Sequence, residues 1–104
     1  MFFLKERKDI NVGLEKFRAT PNAVLVDVRN PSECKYGVIP GSINIPLNKL
    51  SSAKKLIPDP ATPIFTYCTN GGRADRAAKR LKRMGFVNCV SLGGVTGYRG
   101  EIEK

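Results

Sequence analysis

The chain has 104 residues, 41% of them hydrophobic, and carries a net charge of +9 without a single histidine. That length fits one domain and leaves little room for two, and the composition reads as globular rather than disordered. The missing histidine excludes a Ser-His-Asp triad, a papain-type Cys-His pair and any histidine-ligated metal.

Residues 1–8 read as a frayed basic lead-in. Their basic residues follow the apolar ones, which is the reverse of a secretory signal. No apolar run approaches the roughly 20 residues of a membrane helix, so the expected location is the cytosol. Leu14, Phe17 and Arg18 predict a short helix over 12–19 with Asn11 as its N-cap. Residues 23–28, Ala-Val-Leu-Val-Asp-Val, form a β-branched run suited to a strand buried on both faces. Asn30 and Pro31 then start a short helix that reaches Tyr36.

Residues 39–42 turn the chain, and 43–45 make a short strand. Leu47, Leu50 and Leu56 predict a helix over 47–57, stopped by Pro58 and Pro60. Residues 63–67 predict a second buried strand. Ala74, Ala77, Ala78, Leu81 and Met84 share one face of a helix over 73–84, with Gly85 as its C-cap. A strand lies within 86–92, Gly93-Gly94 breaks the pattern, and 95–104 read as a loop with a short terminal helix. Strands alternating with helices predict an α/β fold with a mainly parallel sheet.

The chemistry concentrates in residues 67–74, Tyr-Cys-Thr-Asn-Gly-Gly-Arg-Ala. A buried strand ends at Cys68, the position where open α/β sheets bind ligands. Gly71 and Gly72 let the backbone curl so that successive N–H groups turn inward. The following helix adds the positive end of its dipole, and Arg73 adds a charged fork suited to an anion. These features stabilise a thiolate without an imidazole. Cys68 is therefore the candidate nucleophile, with Thr69, Asn70, Gly71, Gly72 and Arg73 as its substrate-binding loop. The three cysteines, Cys34, Cys68 and Cys89, are widely spaced and form no CxxC pair. They read as free thiols rather than as a disulfide or zinc framework, with Cys34 and Cys89 as packing residues.

These residues resemble the rhodanese homology domain of the single-domain sulfurtransferase kind, from about Val24 to Tyr98. The matching residues are Leu25-Val26-Asp27-Val28-Arg29, Pro31, Glu33, and Gly37 through Pro46. They continue with Cys68 through Arg73, Leu81, Gly85-Phe86, Val90, Leu92, Gly93-Gly94 and Tyr98. The resemblance implies one rhodanese-like domain over 1–104, with a five-stranded parallel sheet flanked by helices on both faces. It implies a double displacement with no cofactor and no metal. The Cys68 thiolate takes the outer sulfur of a small anionic donor such as thiosulfate, or of a protein persulfide. A thiol or cyanide then accepts that sulfur from the Cys68 persulfide. The expected protein is a monomer.

The chain departs from the pattern at Cys34, Val38, Ala74 and Tyr98, where many members have an aromatic, histidine, serine and tryptophan. Thr69 stands where a charged residue is common. Ala74 thus lacks a hydroxyl beside the loop. Two readings of Asp27, with Arg29 beside it, stand level: pairing with loop groups, or a strand-end acid solvated or capping locally.

Three rival readings compete with this one. Cysteine phosphatases and arsenate reductases carry one residue more between their cysteine and arginine, and a phosphatase needs a general acid. A non-catalytic rhodanese-like binding or sulfur-carrier module typically lacks the cysteine. Arg76, Lys79, Arg80, Lys82 and Arg83 form a dense basic helix surface. Without aromatic stacking residues it argues weakly for nucleic acid and better for concentrating small anions near Cys68.

Overall fold

A computed structural model describes residues 8–104. In chain order it contains α1 (Ile10–Ala19), β1 (Val24–Asp27), α2 (Pro31–Cys34) and β2 (Ser42–Asn44). A 3-10 helix (Leu47–Ser52), α3 (Ala53–Leu56), β3 (Ile64–Cys68), α4 (Gly72–Arg83) and β4 (Cys89–Gly94) follow. A 3-10 turn spans Val95–Gly97. Four strands pair in the order β2-β1-β3-β4, all parallel. The expected fifth strand is not found among the described residues. The lead-in lies, apart from Lys8, outside them.

The sheet is covered on both faces, and the pleat decides which side chains go where. Val26, Val28, Ile64, Cys68 and Cys89 pack with Ala74, Ala77, Ala78 and Leu81 of α4. Leu25, Phe65, Tyr67 and Leu92 face the other way, onto Ile10 and Leu14 of α1. Phe17 of α1 meets Phe65 edge-on, their ring centres 5.7 Å apart. Alternation along β3 therefore puts Cys68 on the α4 side, where a helix start awaits it. No helix among the described residues is long and apolar enough to cross a membrane.

Several boundaries move, each for a local reason. Helix α1 starts at Ile10 because Asp9, not Asn11, caps it: the Asp9 carboxylate accepts the Asn11 N–H at 2.9 Å. The expected helix over 47–57 divides into a 3-10 helix and α3, with Lys49 out of helical geometry inside the 3-10 helix. Gly85 does end α4, at φ +110°, as the left-handed residue of a Schellman motif. Phe86 N–H bonds to Leu81 O and Gly85 N–H to Lys82 O.

Phe86 therefore belongs to the helix stop, and β4 begins only at Cys89. No terminal helix forms. Gly97 ends the 3-10 turn, and the chain continues without a helix through a bend at Gly100. It closes an antiparallel bridge in which Val38 and Glu103 exchange N–H···O bonds of 2.8 Å.

Candidate functional site

Strand β3 carries Cys68 to the carboxyl edge of the sheet, and α4 begins four residues later. The turn between them needs Gly71 at φ +104°. That backbone brings the Gly71 N–H to 2.9 Å from Cys68 Sγ, and the Ala74 N–H to 3.3 Å. Amides in the first turn of a helix lack intrahelical acceptors, so here the sulfur serves as one. The Thr66 hydroxyl fixes that turn from below by donating to Ala74 O at 2.9 Å. Cys68 itself is fully buried, with both amides directed at its sulfur.

The far side of the loop rests on β4. The pairing of β3 with β4 slips between Thr66 and Cys68, so that Cys68 lies opposite Gly94. The slip presses Gly94 against the loop: a Cβ at this position would meet Thr69 O at 2.3 Å and Asn70 Cα at 2.7 Å. The Thr96 N–H then bonds to Thr69 O at 3.2 Å. The missing side chain of Gly94 is thus what lets the loop and the strand end touch.

The near side is closed by a residue that local sequence reasoning did not single out. Arg73 makes a two-pronged ion pair with Glu33 of α2, Nη1 to Oε2 at 2.7 Å and Nη2 to Oε1 at 2.8 Å. Glu33 also accepts the Thr69 hydroxyl at 3.1 Å and the Asn30 N–H at 2.9 Å. One carboxylate therefore ties together the start of α2 and both ends of the loop. The Arg73 guanidinium, helped by these other donors, holds the Glu33 carboxyl down to about 2.

The sign of the pH effect follows from that. Because the folded carboxyl titrates below its ordinary value, the clasp contributes stability above about 4.5 and loses it as pH falls toward about 2. Acid melts should show a wild-type midpoint that falls through this window, and a smaller fall in Glu33→Gln. Parallel curves would show that the clasp contributes nothing to stability.

Asp27 and Arg29 form a second, deeper pair. The Arg29 Nη2 and Nε donate to the Asp27 carboxylate at 2.7–3.1 Å, and both residues are buried. Arg29 also donates to Gly37 O at 2.9 Å and lies 5.7 Å from the centre of the Tyr67 ring. The Cys34 thiol donates to Asp27 at 3.4 Å. Burial, then the Asp27 charge, pushes that thiol up to about 11. A thiol so held is protonated near neutrality and a poor nucleophile. Burial also raises Cys89, which packs beneath α4.

The structure thus gathers Cys68, Thr69, Asn70, Gly71, Gly72, Arg73 and Ala74 into one cradle. It sets Asp27 and Arg29 at the neighbouring strand end, where each takes up the other. A cavity of about 760 Å³ lies on one flank of the loop, lined by Asn70, Gly71 and Gly72 with Lys8, Asp75 and Arg99 among its other walls. A groove of about 410 Å³ lies on the other flank, lined by Arg29, Ser32, Glu33, Tyr36 and Thr69.

Comparisons with known proteins agree with this architecture. The profile of the rhodanese-like domain matches residues 13–101. The adenylyltransferase and sulfurtransferase uba4 of Ogataea parapolymorpha is 37% identical over 97 residues, covering 92% of this chain and 25% of that protein. A tRNA uridine(34) hydroxylase of Buchnera aphidicola is 36% identical over 97 residues, covering 88% of this chain and 30% of that one. The chain thus spans less than a third of these two relatives. Among solved structures, the human single-domain sulfurtransferase TSTD1 superposes with a TM-score of 0.72 at 26% identity, covering 84% of this chain and 89% of that one.

Proposed function

Because this chain belongs to the rhodanese-like domain family, we propose that it is a sulfurtransferase that carries sulfane sulfur on Cys68. The observation that carries the reading is the pair of amide donors, Gly71 and Ala74, aimed at a fully buried sulfur at a helix start. The Cys68 thiolate attacks the outer sulfur of a donor such as thiosulfate. The new S–S bond forms as the donor's own S–S bond breaks, and sulfite leaves with the electron pair. A thiol, as its thiolate, or cyanide then attacks the terminal sulfur of the persulfide and returns Cys68 as a thiolate. No oxidant or cofactor enters either step.

The residues divide these tasks. Gly71 and Ala74 N–H groups hold the negative sulfur in both resting and leaving-group roles. Gly72 and Arg73, in the first turn of α4, contribute amides from the same end of the helix dipole. Thr69 and Asn70 form the rim. Arg73 keeps the loop shut through Glu33 and brings positive charge to the donor's anionic part. Arg99 on the wall of the larger cavity adds to that attraction, while Lys8 on the same wall pairs with Asp75. A protein persulfide is an alternative donor, and the setting is a reducing cytosol.

The test is to incubate the protein with thiosulfate, remove the donor and map the mass by peptide. A gain of one sulfur on the peptide that holds Cys68, discharged by cyanide, is expected. If neither thiosulfate nor a low-molecular-weight persulfide leaves sulfur on Cys68, the assignment fails.

A further inference from the structure

Outside the loop, the largest unexplained feature is a cationic seam between α4 and the segment 47–57. Arg76, Arg80 and Arg83 recur at i, i+4 and i+7, so they run along one side of α4. Arg80 shows which side this is, because its Nη1 donates to Leu47 O at 3.0 Å across the junction. The segment opposite contributes Lys49, Lys54 and Lys55 and has no acidic residue. None of these six cations is in an ion pair among the described residues. Beneath them Leu50, Ala53, Ile57 and Leu81 are buried, so the two elements are firmly packed and the charges stand on a rigid base.

The far end of the seam is apolar. Leu56, next to Lys55, is 58% exposed, and Val87, just beyond α4, is 76% exposed. The Val87 N–H bonds to Pro60 O at 3.2 Å, which holds the end of α4 against the turn that follows α3. Two acids flank the seam: Asp59 accepts the Ala61 N–H within that turn, and Asp75 at the start of α4 pairs with Lys8.

We propose that this seam is the docking surface for an acidic protein partner, which sets anionic side chains along the cations and apolar ones on Leu56 and Val87. Two features select a protein over a nucleic acid. The seam shows no exposed aromatic on which a base could stack, since Phe86 is buried and the exposed Tyr36 lies by the groove lined by Glu33 and Thr69. Exposed leucine and valine gain nothing against phosphates, whereas an apolar patch within a charged rim is the make-up of a protein interface. Concentrating small anions at Cys68 would need neither of them. A partner seated along α4 would also lie beside the cradle, because Arg76 is one turn from Arg73.

The probes are a short amphipathic peptide, with glutamates on one helical face and leucines on the other, and a short duplex RNA. Each would be titrated into isotopically labelled protein by NMR, in the wild type, in Lys54→Glu/Lys55→Glu/Arg83→Glu and in Leu56→Ser/Val87→Ser. The peptide is expected to shift amides of α3 and α4. Each variant should weaken it about tenfold, with the thermal midpoint unchanged as a check on folding. RNA binding that is lost on charge reversal and indifferent to Leu56→Ser/Val87→Ser would overturn the proposal in favour of nucleic acid. Absence of binding by either probe would reduce the seam to a solvated surface. Neither result touches the sulfur chemistry, which is read on Cys68.

Discussion

Cys68→Ser is expected to leave no sulfur on the protein and to lower kcat/KM for sulfur transfer by about three orders of magnitude or more. The reason is the bond that must form. A serine oxygen cannot store a sulfane sulfur as a disulfide-like link, and a hydroxyl is a far weaker nucleophile than a thiol. The fold should tolerate the change. The Gly71 and Ala74 N–H groups still find an acceptor at the same place, so stability should move by only about 1 kcal/mol. The comparison is decisive because it separates chemistry from structure: an unchanged urea midpoint with no turnover fixes Cys68 as the sulfur carrier. Turnover within tenfold of the wild type would move the chemistry elsewhere.

The second large effect concerns stability. Asp27→Ala removes the counter-ion of Arg29 and leaves a guanidinium with only 6% of its residue exposed. A buried charge stripped of its partner costs about 3–5 kcal/mol, a large share of the about 5–15 kcal/mol that holds a small domain together. Urea unfolding of Asp27→Ala should show that loss directly. Asp27→Ala/Arg29→Met should regain much of it, because the orphaned charge is then gone. A loss under about 1 kcal/mol in the single variant would mean that Arg29 finds water or another acceptor instead.

How much of this was legible in the sequence depends on how far apart the partners stand. The β3–loop–α4 unit is written in consecutive residues. The apolar run, the cysteine, two glycines and the alanine-faced helix each carry a local signal. Glu33 is different. It meets Arg73 across 40 positions, and a single carboxylate on a short helix carries no mark of its distant partner. It appeared only among the residues that carry the family resemblance. The Asp27–Arg29 pair is two residues long, yet whether it pairs locally or with the loop depends on burial at the strand end, which spacing does not reveal.

The missing terminal helix was a misreading of punctuation: Gly97 and Gly100 already argued against one. The strand expected within 86–92 slid because a Schellman stop uses two residues past the helix, Gly85 and Phe86. The expected fifth strand came from the family resemblance and not from any run of residues in this chain.

The contacts on either side of the loop have a consequence for how the sulfur is received. Gly94 at the end of β4 and Thr96 in the following 3-10 turn hold the loop on one side, Glu33 holds it from α2, and Thr66 holds the helix start from below. The amides facing Cys68 are therefore oriented before any charge arrives there. In the proposed reaction the Cys68 sulfur gives up an electron pair in one half-cycle and regains it in the other, and water would have to turn its dipoles each time. A cradle whose amides were turned when the chain folded would keep that reorganisation small in both.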